Sequence, residues 1–318
     1  MKQFNKIAIN NFNRMASLVT DTADTSRIQL IEEQLKFSDI DNIIHELNNP
    51  IERILTGFDA VDELFAEYIS GQYQFGFRRK DIIILAGMSG VGKTSFAMSM
   101  FANLYRRRKN VIFFSLEMRT ERTWDSFRYA LSGYHSSTLD FMDTIAIIRE
   151  KPKIVTKEGG ITLKQLDSFL TLNPAEIIFI DYIDYLTPTN ASPQDTINFK
   201  NLFIELKLLV EKHNCAIILL SQGTEDKGYR SGRPTLTNLY GGKAVRSAVD
   251  HVIAVYRNSK YNDKLSQENK LVTEIIGLKL RSNSINHTAF LKFRDGKMCN
   301  MDTEEINRYR ADIVGNLK

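Results

Sequence analysis

The chain has 318 residues, more than one hydrophobic core usually organises, so a large domain with an appendage is the natural division. Hydrophobic residues make up 43% and charged residues 25%, the balance of an ordinary globular protein, and a net charge of +4 admits a nucleic-acid partner without requiring one. Cys215 and Cys299 form neither a zinc-ligand pattern nor a disulfide framework, no apolar run approaches the roughly 20 residues of a membrane span, and the polar start Met1-Lys2-Gln3-Phe4-Asn5-Lys6 lacks a signal-peptide core, so a reducing, cytoplasmic, membrane-free setting is expected.

Residues 1 to 24 are polar and without sustained period, and are expected to be loosely ordered. Between Thr25 and Leu47 apolar residues recur at Ile28, Ile31, Leu35, Ile40, Ile43, Ile44 and Leu47, helical spacing broken near Ser38-Asp39, where a new helix cap fits. Two short amphipathic helices in a helical extension over residues 1–50 are therefore predicted. Their apolar stripe covers the protein's own core or docks on a neighbouring subunit. The main domain, residues 51–318, follows Asn49-Pro50 and begins with Thr56-Gly57-Phe58-Asp59-Ala60-Val61-Asp62-Glu63-Leu64.

The apolar run Ile82-Ile83-Ile84-Leu85-Ala86 leads into Gly87-Met88-Ser89-Gly90-Val91-Gly92-Lys93-Thr94-Ser95, a full phosphate-binding loop, with Phe96-Ala97-Met98 opening the helix beyond it. Each residue type answers a need. The glycines let backbone N–H groups converge on phosphates, Lys93 neutralises the outer phosphates, and the Thr94 hydroxyl ligates Mg²⁺. The positive end of the helix faces the same anion. A nucleotide with Mg²⁺ is thus the expected ligand, held by Gly87, Ser89, Gly90, Val91, Gly92, Lys93, Thr94 and Ser95.

From here strands and helices alternate. Strands are predicted at Asp81–Ala86, Asn110–Ser115, Glu176–Asp181 and Cys215–Ser221, with helices at Lys93–Arg106 and Asn198–Lys212. The fold class expected is α/β, a mostly parallel sheet with helices on both faces, in which ligands sit at the carboxyl ends of the strands. Those ends are informative. The second strand runs out in Leu116-Glu117-Met118, where Glu117 either caps the next helix or orients a water that attacks the γ-phosphate. The third, Ile177-Ile178-Phe179-Ile180-Asp181, is an apolar strand closed by an acid, the Walker B arrangement, in which Asp181 holds the metal shell. The fourth ends in Ser221-Gln222, an amide placed to hydrogen-bond the γ-phosphate. The basic run Arg106-Arg107-Arg108-Lys109 complements a helix dipole or forms a secondary nucleic-acid patch.

In this order around this loop, Phe114-Ser115-Leu116-Glu117-Met118, Asp181-Tyr182-Ile183 and Leu220-Ser221-Gln222 resemble the RecA-like ATPase domain of DnaB-family replicative helicases, including the helicase half of phage primase-helicases. Thr56-Gly57-Phe58 with Asp62, Arg233-Pro234-Thr235-Leu236-Thr237-Asn238-Leu239 running on through Arg246 and Asp250 to Ile253-Ala254, and Lys279-Leu280-Arg281-Ser282-Asn283 extend the resemblance over about residues 54 to 295. It implies a hexameric ring or spiral around single-stranded DNA, with ATP at each subunit boundary. It further implies that Glu117 polarises the water, Gln222 senses the γ-phosphate, and Lys279 and Arg281 reach into the neighbour's site. Read without the resemblance, Lys279 and Arg281 are a solvated edge-strand pair.

Where the family carries an Arg-led DNA-gripping loop, this chain reads Tyr240-Gly241-Gly242-Lys243. The two glycines offer backbone N–H groups to a phosphate, Lys243 supplies charge and Tyr240 a stacking face. No N-terminal collar or primase zinc module is expected, a form suited to a phage- or plasmid-encoded replication protein with a primase or helicase loader as partner. Two activities follow. The first is a ring helicase that hydrolyses ATP to move along single-stranded DNA, 5′ to 3′ if it follows the family. The second is a non-unwinding RecA-like ATPase, such as a recombination mediator or a KaiC-type assembly protein.

Overall fold

Side chains alternate across a β-strand, so a strand that is apolar at every position must be covered on both faces. The computed structural model describes residues 52–69, 71–190, 195–223, 233–238, 247–281 and 287–315; the two helices expected between Thr25 and Leu47, and Tyr240, Gly241, Gly242 and Lys243, lie outside them. Counting the main-sheet strands and the longer helices, the chain runs β1 (Ile82–Gly87), α1 (Lys93–Arg106), β2 (Val111–Ser115), α2 (Thr120–Ser132), α3 (Thr138–Ile148) and β3 (Lys153–Thr156). It continues through α4 (Leu163–Leu172), β4 (Ile177–Asp181), α5 (Asp195–His213), β5 (Ala216–Gln222), β6 (His251–Tyr256), β7 (Val272–Lys279), β8 (Thr288–Arg294), β9 (Lys297–Asn300) and α6 (Thr303–Gly315).

The strands form one nine-stranded sheet in the order β9-β8-β7-β6-β1-β5-β4-β2-β3. From β6 to β3 neighbours are parallel, whereas β7, β8 and β9 extend the sheet by antiparallel pairing. The alternation is explicit in the core. Ile83 and Leu85 of β1 and Ile177 and Phe179 of β4 point into one apolar cluster with Phe96, Phe101, Phe113 and Phe127. Ile82 and Ile84, with Ile178 and Ile180, point into the other, where Leu166 and Leu170 of α4 meet Leu202, Leu206 and Val210 of α5. Helices α1 and α2 thus cover one face and α4 and α5 the other, the architecture expected from the apolar strands. A smaller cluster of Leu265, Val272 and Tyr309 seats α6 on the antiparallel end.

The four predicted strands agree with β1, β2, β4 and β5 to within a residue at each end, α1 has the predicted bounds, and the helix expected over Asn198–Lys212 extends to Asp195–His213. Helix α3 starts where Ser137 and Asp140 cap each other reciprocally, and α4 where Thr162 and Gln165 do the same. One alternative needs correction. β7, which carries Lys279, is not an edge strand: it lies between β6 and β8.

Phe101 is the hub of the first face, its ring meeting those of Phe113, Phe127 and Phe179 at centroid distances of 5.6, 5.3 and 6.1 Å. Replacing it by Ala leaves a cavity that helices on a rigid sheet cannot collapse, so Phe101→Ala should lose about 3–5 kcal/mol in urea unfolding. Leu208→Ala, at a side chain 66% exposed, should change stability by less than about 0.5 kcal/mol. Equal losses at both positions would contradict this account of the core.

Candidate functional site

In the parallel part of the sheet the strands run out at one level. Gln222 of β5 is in register with Gly87 of β1, and Ser115 of β2 with Asp181 of β4. The Leu116 amide beyond β2 donates to the Asp181 carbonyl at 2.7 Å, and the Gly223 amide beyond β5 donates to the Gly87 carbonyl at 3.0 Å. The chain leaving each strand is thereby gathered around one spot. Gly92 takes a φ of 102°, a left-handed conformation that turns the loop into α1.

A cavity of about 400 Å³ opens there, floored by Ser89, Gly90, Gly92, Lys93, Thr94 and Ser95. Its walls are Glu117, Asp181, Tyr182, Gln222, Arg257 and Phe293. Of the sequence-predicted residues, Gly87 and Val91 do not line it: Gly87 ends β1 and Val91 is buried. The Lys93 ammonium folds back on its own loop, donating to the carbonyls of Gly87 at 2.8 Å and Met88 at 2.9 Å. Thr94 Oγ1 donates to Asp181 Oδ2 at 2.9 Å, and the Tyr182 hydroxyl donates to Gln222 Oε1 at 3.3 Å. Glu117 is exposed on the wall, and the residue at the N-cap of α2 is Arg119, not Glu117.

Burial dominates the electrostatics. It pushes the Asp181 carboxyl up to about 6, with the charge of Glu117 adding to the rise and the Thr94 hydrogen bond and Lys93 opposing it. Burial also lowers the Lys93 ammonium, against the attraction of Asp181 and Glu117. Both groups are held in a site that disfavours charge until a counter-ion arrives. The donor set is oxygen-rich: one hydroxyl and one carboxylate, side by side, in a cavity floored by the glycine-containing loop, suited to a polyphosphate and a hard divalent cation. Among the described residues no group of three or more His, Cys, Asp or Glu could hold a metal by itself.

Lys279 and Arg281 stand elsewhere. Because β7 is antiparallel to β6, with Lys279 opposite Val252, they lie at the end of the sheet away from the cavity. Lys279 Nζ donates to the Val249 carbonyl at 2.6 Å and Arg281 Nη1 pairs with Asp250 Oδ1 at 2.6 Å. The Thr56-Gly57-Phe58 motif is also outside the cavity: the Thr56 amide donates to buried Asp62 Oδ1 at 2.6 Å, fixing a turn against α1.

Sequence reasoning missed Tyr182, Arg257 and Phe293. Arg257 follows β6 directly and its guanidinium lies 5.9 Å from the centre of the Phe293 ring, a planar cation and a ring suited to a base. The signal was available in part, since a residue just past the carboxyl end of a parallel strand belongs to the ligand side of such a sheet. Phe293 carried none: β8 pairs only with antiparallel neighbours, and two antiparallel steps from β6 turn it back to the direction of β6, so its carboxyl end meets the site without any local motif to mark it.

The family model described as DnaB-like helicase C terminal domain matches residues 54–300. The chain is 28% identical over 269 residues to the replicative DNA helicase DnaB of Pasteurella multocida (strain Pm70), across 78% of this chain and 55% of that protein. It is 26% identical over 312 residues to the replicative DNA helicase DnaC of Bacillus subtilis (strain 168), across 86% of this chain and 63% of that protein. The chain thus spans less than two thirds of the length of either relative. Among solved structures, one described as an ATPase domain shares the fold with a TM-score of 0.65 at 20% identity, covering 89% of this chain and 100% of that one. A DnaB-like replicative helicase, described with its interactions with primase, gives a TM-score of 0.68 at 20% identity over 94% of this chain and 76% of that one. The shared fold is the mostly parallel, RecA-like ATPase sheet.

Because the folded-state value for Asp181 lies above that of an unfolded carboxyl, the folded protein binds its proton more tightly. This stability is full below about pH 4 and is lost as pH rises through about 6, a penalty on the order of 1–3 kcal/mol by neutral pH. Asp181→Asn should therefore melt higher than the parent protein at about pH 7.5 without nucleotide, with the gain shrinking toward pH 4.5. A gain that does not grow with pH in thermal melts would refute the assignment of the penalty to this carboxyl.

Proposed function

The chain belongs to the DnaB-like helicase C-terminal domain family, and from this premise we propose that it is an ATP-hydrolysing, ring-forming motor that moves along single-stranded DNA and unwinds duplex during replication. The observation that carries the reading is the convergence of Lys93, Thr94, Glu117, Asp181 and Gln222, from a loop and the ends of three further strands, on one cavity of about 400 Å³. The match of the family description to most of the chain and the replicative helicases among its relatives support it. The non-unwinding alternative is not favoured.

The roles follow from position. The N–H groups of the loop and the Lys93 ammonium hold the triphosphate once Lys93 leaves its own loop carbonyls. Thr94 and Asp181 would hold Mg²⁺, which would supply positive charge against the negative charge that develops on the phosphates. Glu117 takes the proton of the attacking water as its oxygen bonds to the γ-phosphorus, and the ADP oxygen leaves. Gln222, bonded to Tyr182, sits beside Gly87 and loses a partner when the γ-phosphate departs. Arg257 and Phe293 hold the base.

Lys279 and Arg281 lie far from this chain's own cavity, as groups that complete a neighbour's site must. The ring is taken as a hexamer with the site at each boundary, Tyr240, Gly241, Gly242 and Lys243 touch the DNA, and a primase or a loader is the further partner. The setting is a bacterial cytoplasm or a phage-infected cell.

ATP hydrolysis measured across protein concentration should rise cooperatively and increase strongly with single-stranded DNA, with Lys93→Ala as an inactive blank. Hydrolysis indifferent to DNA would remove the helicase reading. Arg281→Ala alone should lose at least about tenfold in rate. Mixed with Lys93→Ala subunits it should regain part of that rate, since each variant supplies what the other lacks; no recovery on mixing would place Arg281 outside the neighbour's site.

A further inference from the structure

We propose that Lys260 is a second cation on the phosphate loop, a positioning residue that contacts the triphosphate of a bound nucleotide together with Lys93. The inference rests on the reading of the cavity as a nucleotide site and adds a residue from outside the loop motif.

Lys260 closes the short 3-10 turn Asn258–Lys260, just past the carboxyl end of β6. Its Nζ donates to the Ser89 carbonyl at the apex of the phosphate loop at 2.5 Å. A Cβ built on Gly90 would stand 2.8 Å from the same Nζ, so the ammonium rests against the space that glycine leaves open. The turn that carries it is built. Tyr261 stacks on Tyr256 with ring centres 5.8 Å apart and planes 9° from parallel, and Ser259 Oγ donates to the Lys270 carbonyl at 2.9 Å.

Lys93 lines the cavity, and Lys260, outside that lining, bears on the loop residues Ser89 and Gly90 that floor it. The charge of Lys260 adds to the burial that lowers the Lys93 ammonium, which places the two within electrostatic reach. Like charges brought together cost free energy unless an anion lies between them. Each rests on a neutral carbonyl: Lys93 on Gly87 and Met88, Lys260 on Ser89. Phosphate oxygens make shorter and stronger charge-assisted bonds than carbonyls, so an entering triphosphate draws both cations off the loop. Exchange of the Ser89 bond for a phosphate bond also frees the loop apex to close on the ligand.

The test is the binding of a fluorescent ATP analogue to the full chain carrying Lys260→Ala, Lys260→Gln or Lys260→Arg, with thermal melts to show that each folds. Glutamine keeps a donor for the Ser89 carbonyl and removes the charge. Expected are losses in affinity of about tenfold for both Ala and Gln and near-parental affinity for Arg, with a smaller loss for the ADP analogue. Parental affinity in the Gln variant would reduce Lys260 to a structural tether of the loop, and parental affinity in the Ala variant would remove it altogether. Undiminished binding by Lys93→Ala would instead overturn the nucleotide-site reading, whatever the Lys260 variants do.

Discussion

The structure depends on the parallel alignment of β1, β5, β4 and β2, which brings four strand ends to a common level. Parallel pairing fixes register through every backbone hydrogen bond of the ladder, so a group one or two residues past a strand end has a place set by the whole sheet. Gln222 stands beside Gly87, and Asp181 beside Ser115, for this reason. Loops alone could not bring Lys93, Glu117, Asp181 and Gln222 together from positions so far apart in the chain.

That alignment carries an electrostatic cost. Asp181 and Lys93 sit where burial disfavours both charges, and a threonine hydroxyl and two loop carbonyls satisfy them. The same physics serves structure at Asp62. Burial pushes that carboxyl up to about 6 although the Thr56 amide donates to it. The resulting turn presents Gly57 so close to α1 that a Cβ there would come within 2.6 Å of Asn103 Nδ2. The motif Thr56-Gly57-Phe58 with Asp62 thus braces the helix that follows the phosphate loop and touches no site group.

The opposite end of the sheet has its own organising charge. Buried Asp250 accepts from the Ile82 amide at 2.8 Å, pairs with Arg281, and is approached by Lys207 at 3.4 Å. An isolated carboxylate there would be costly, and these partners hold it while it aligns the start of β6 with the start of β1. Arg281 is 57% exposed even while paired, so its guanidinium keeps an open side toward solvent. The two ends of one sheet therefore differ, Asp181 and Lys93 recessed at the cavity end and the partly exposed Arg281 and Lys207 around buried Asp250 at the other.

Much of this was legible in the chain. Unbroken short apolar runs such as Ile82-Ile83-Ile84-Leu85, rich in β-branched residues, read as strands covered on both faces, and the glycine, lysine and threonine spacing of residues 87–95 reads as a phosphate-binding loop. Both signals are local, which is why the bounds of β1, β2, β4, β5 and α1 came out nearly as they are. The antiparallel β7, β8 and β9 were not legible in the same way. Their burial is neither unbroken, as in β1, nor strictly alternating, and pairing on both sides decides that β7 is interior and not an edge. The wall residues Arg257 and Phe293, and Lys260 at the loop apex, have no spacing that marks them. Arg257 and Phe293 reach the cavity, and Lys260 the loop beside it, only because β6 lies next to β1 and β8 returns antiparallel beside β7. Sequence periodicity determined which segments are strands and where the glycine-rich loop lies; strand order, set by packing between residues far apart in the chain, decided what surrounds that loop.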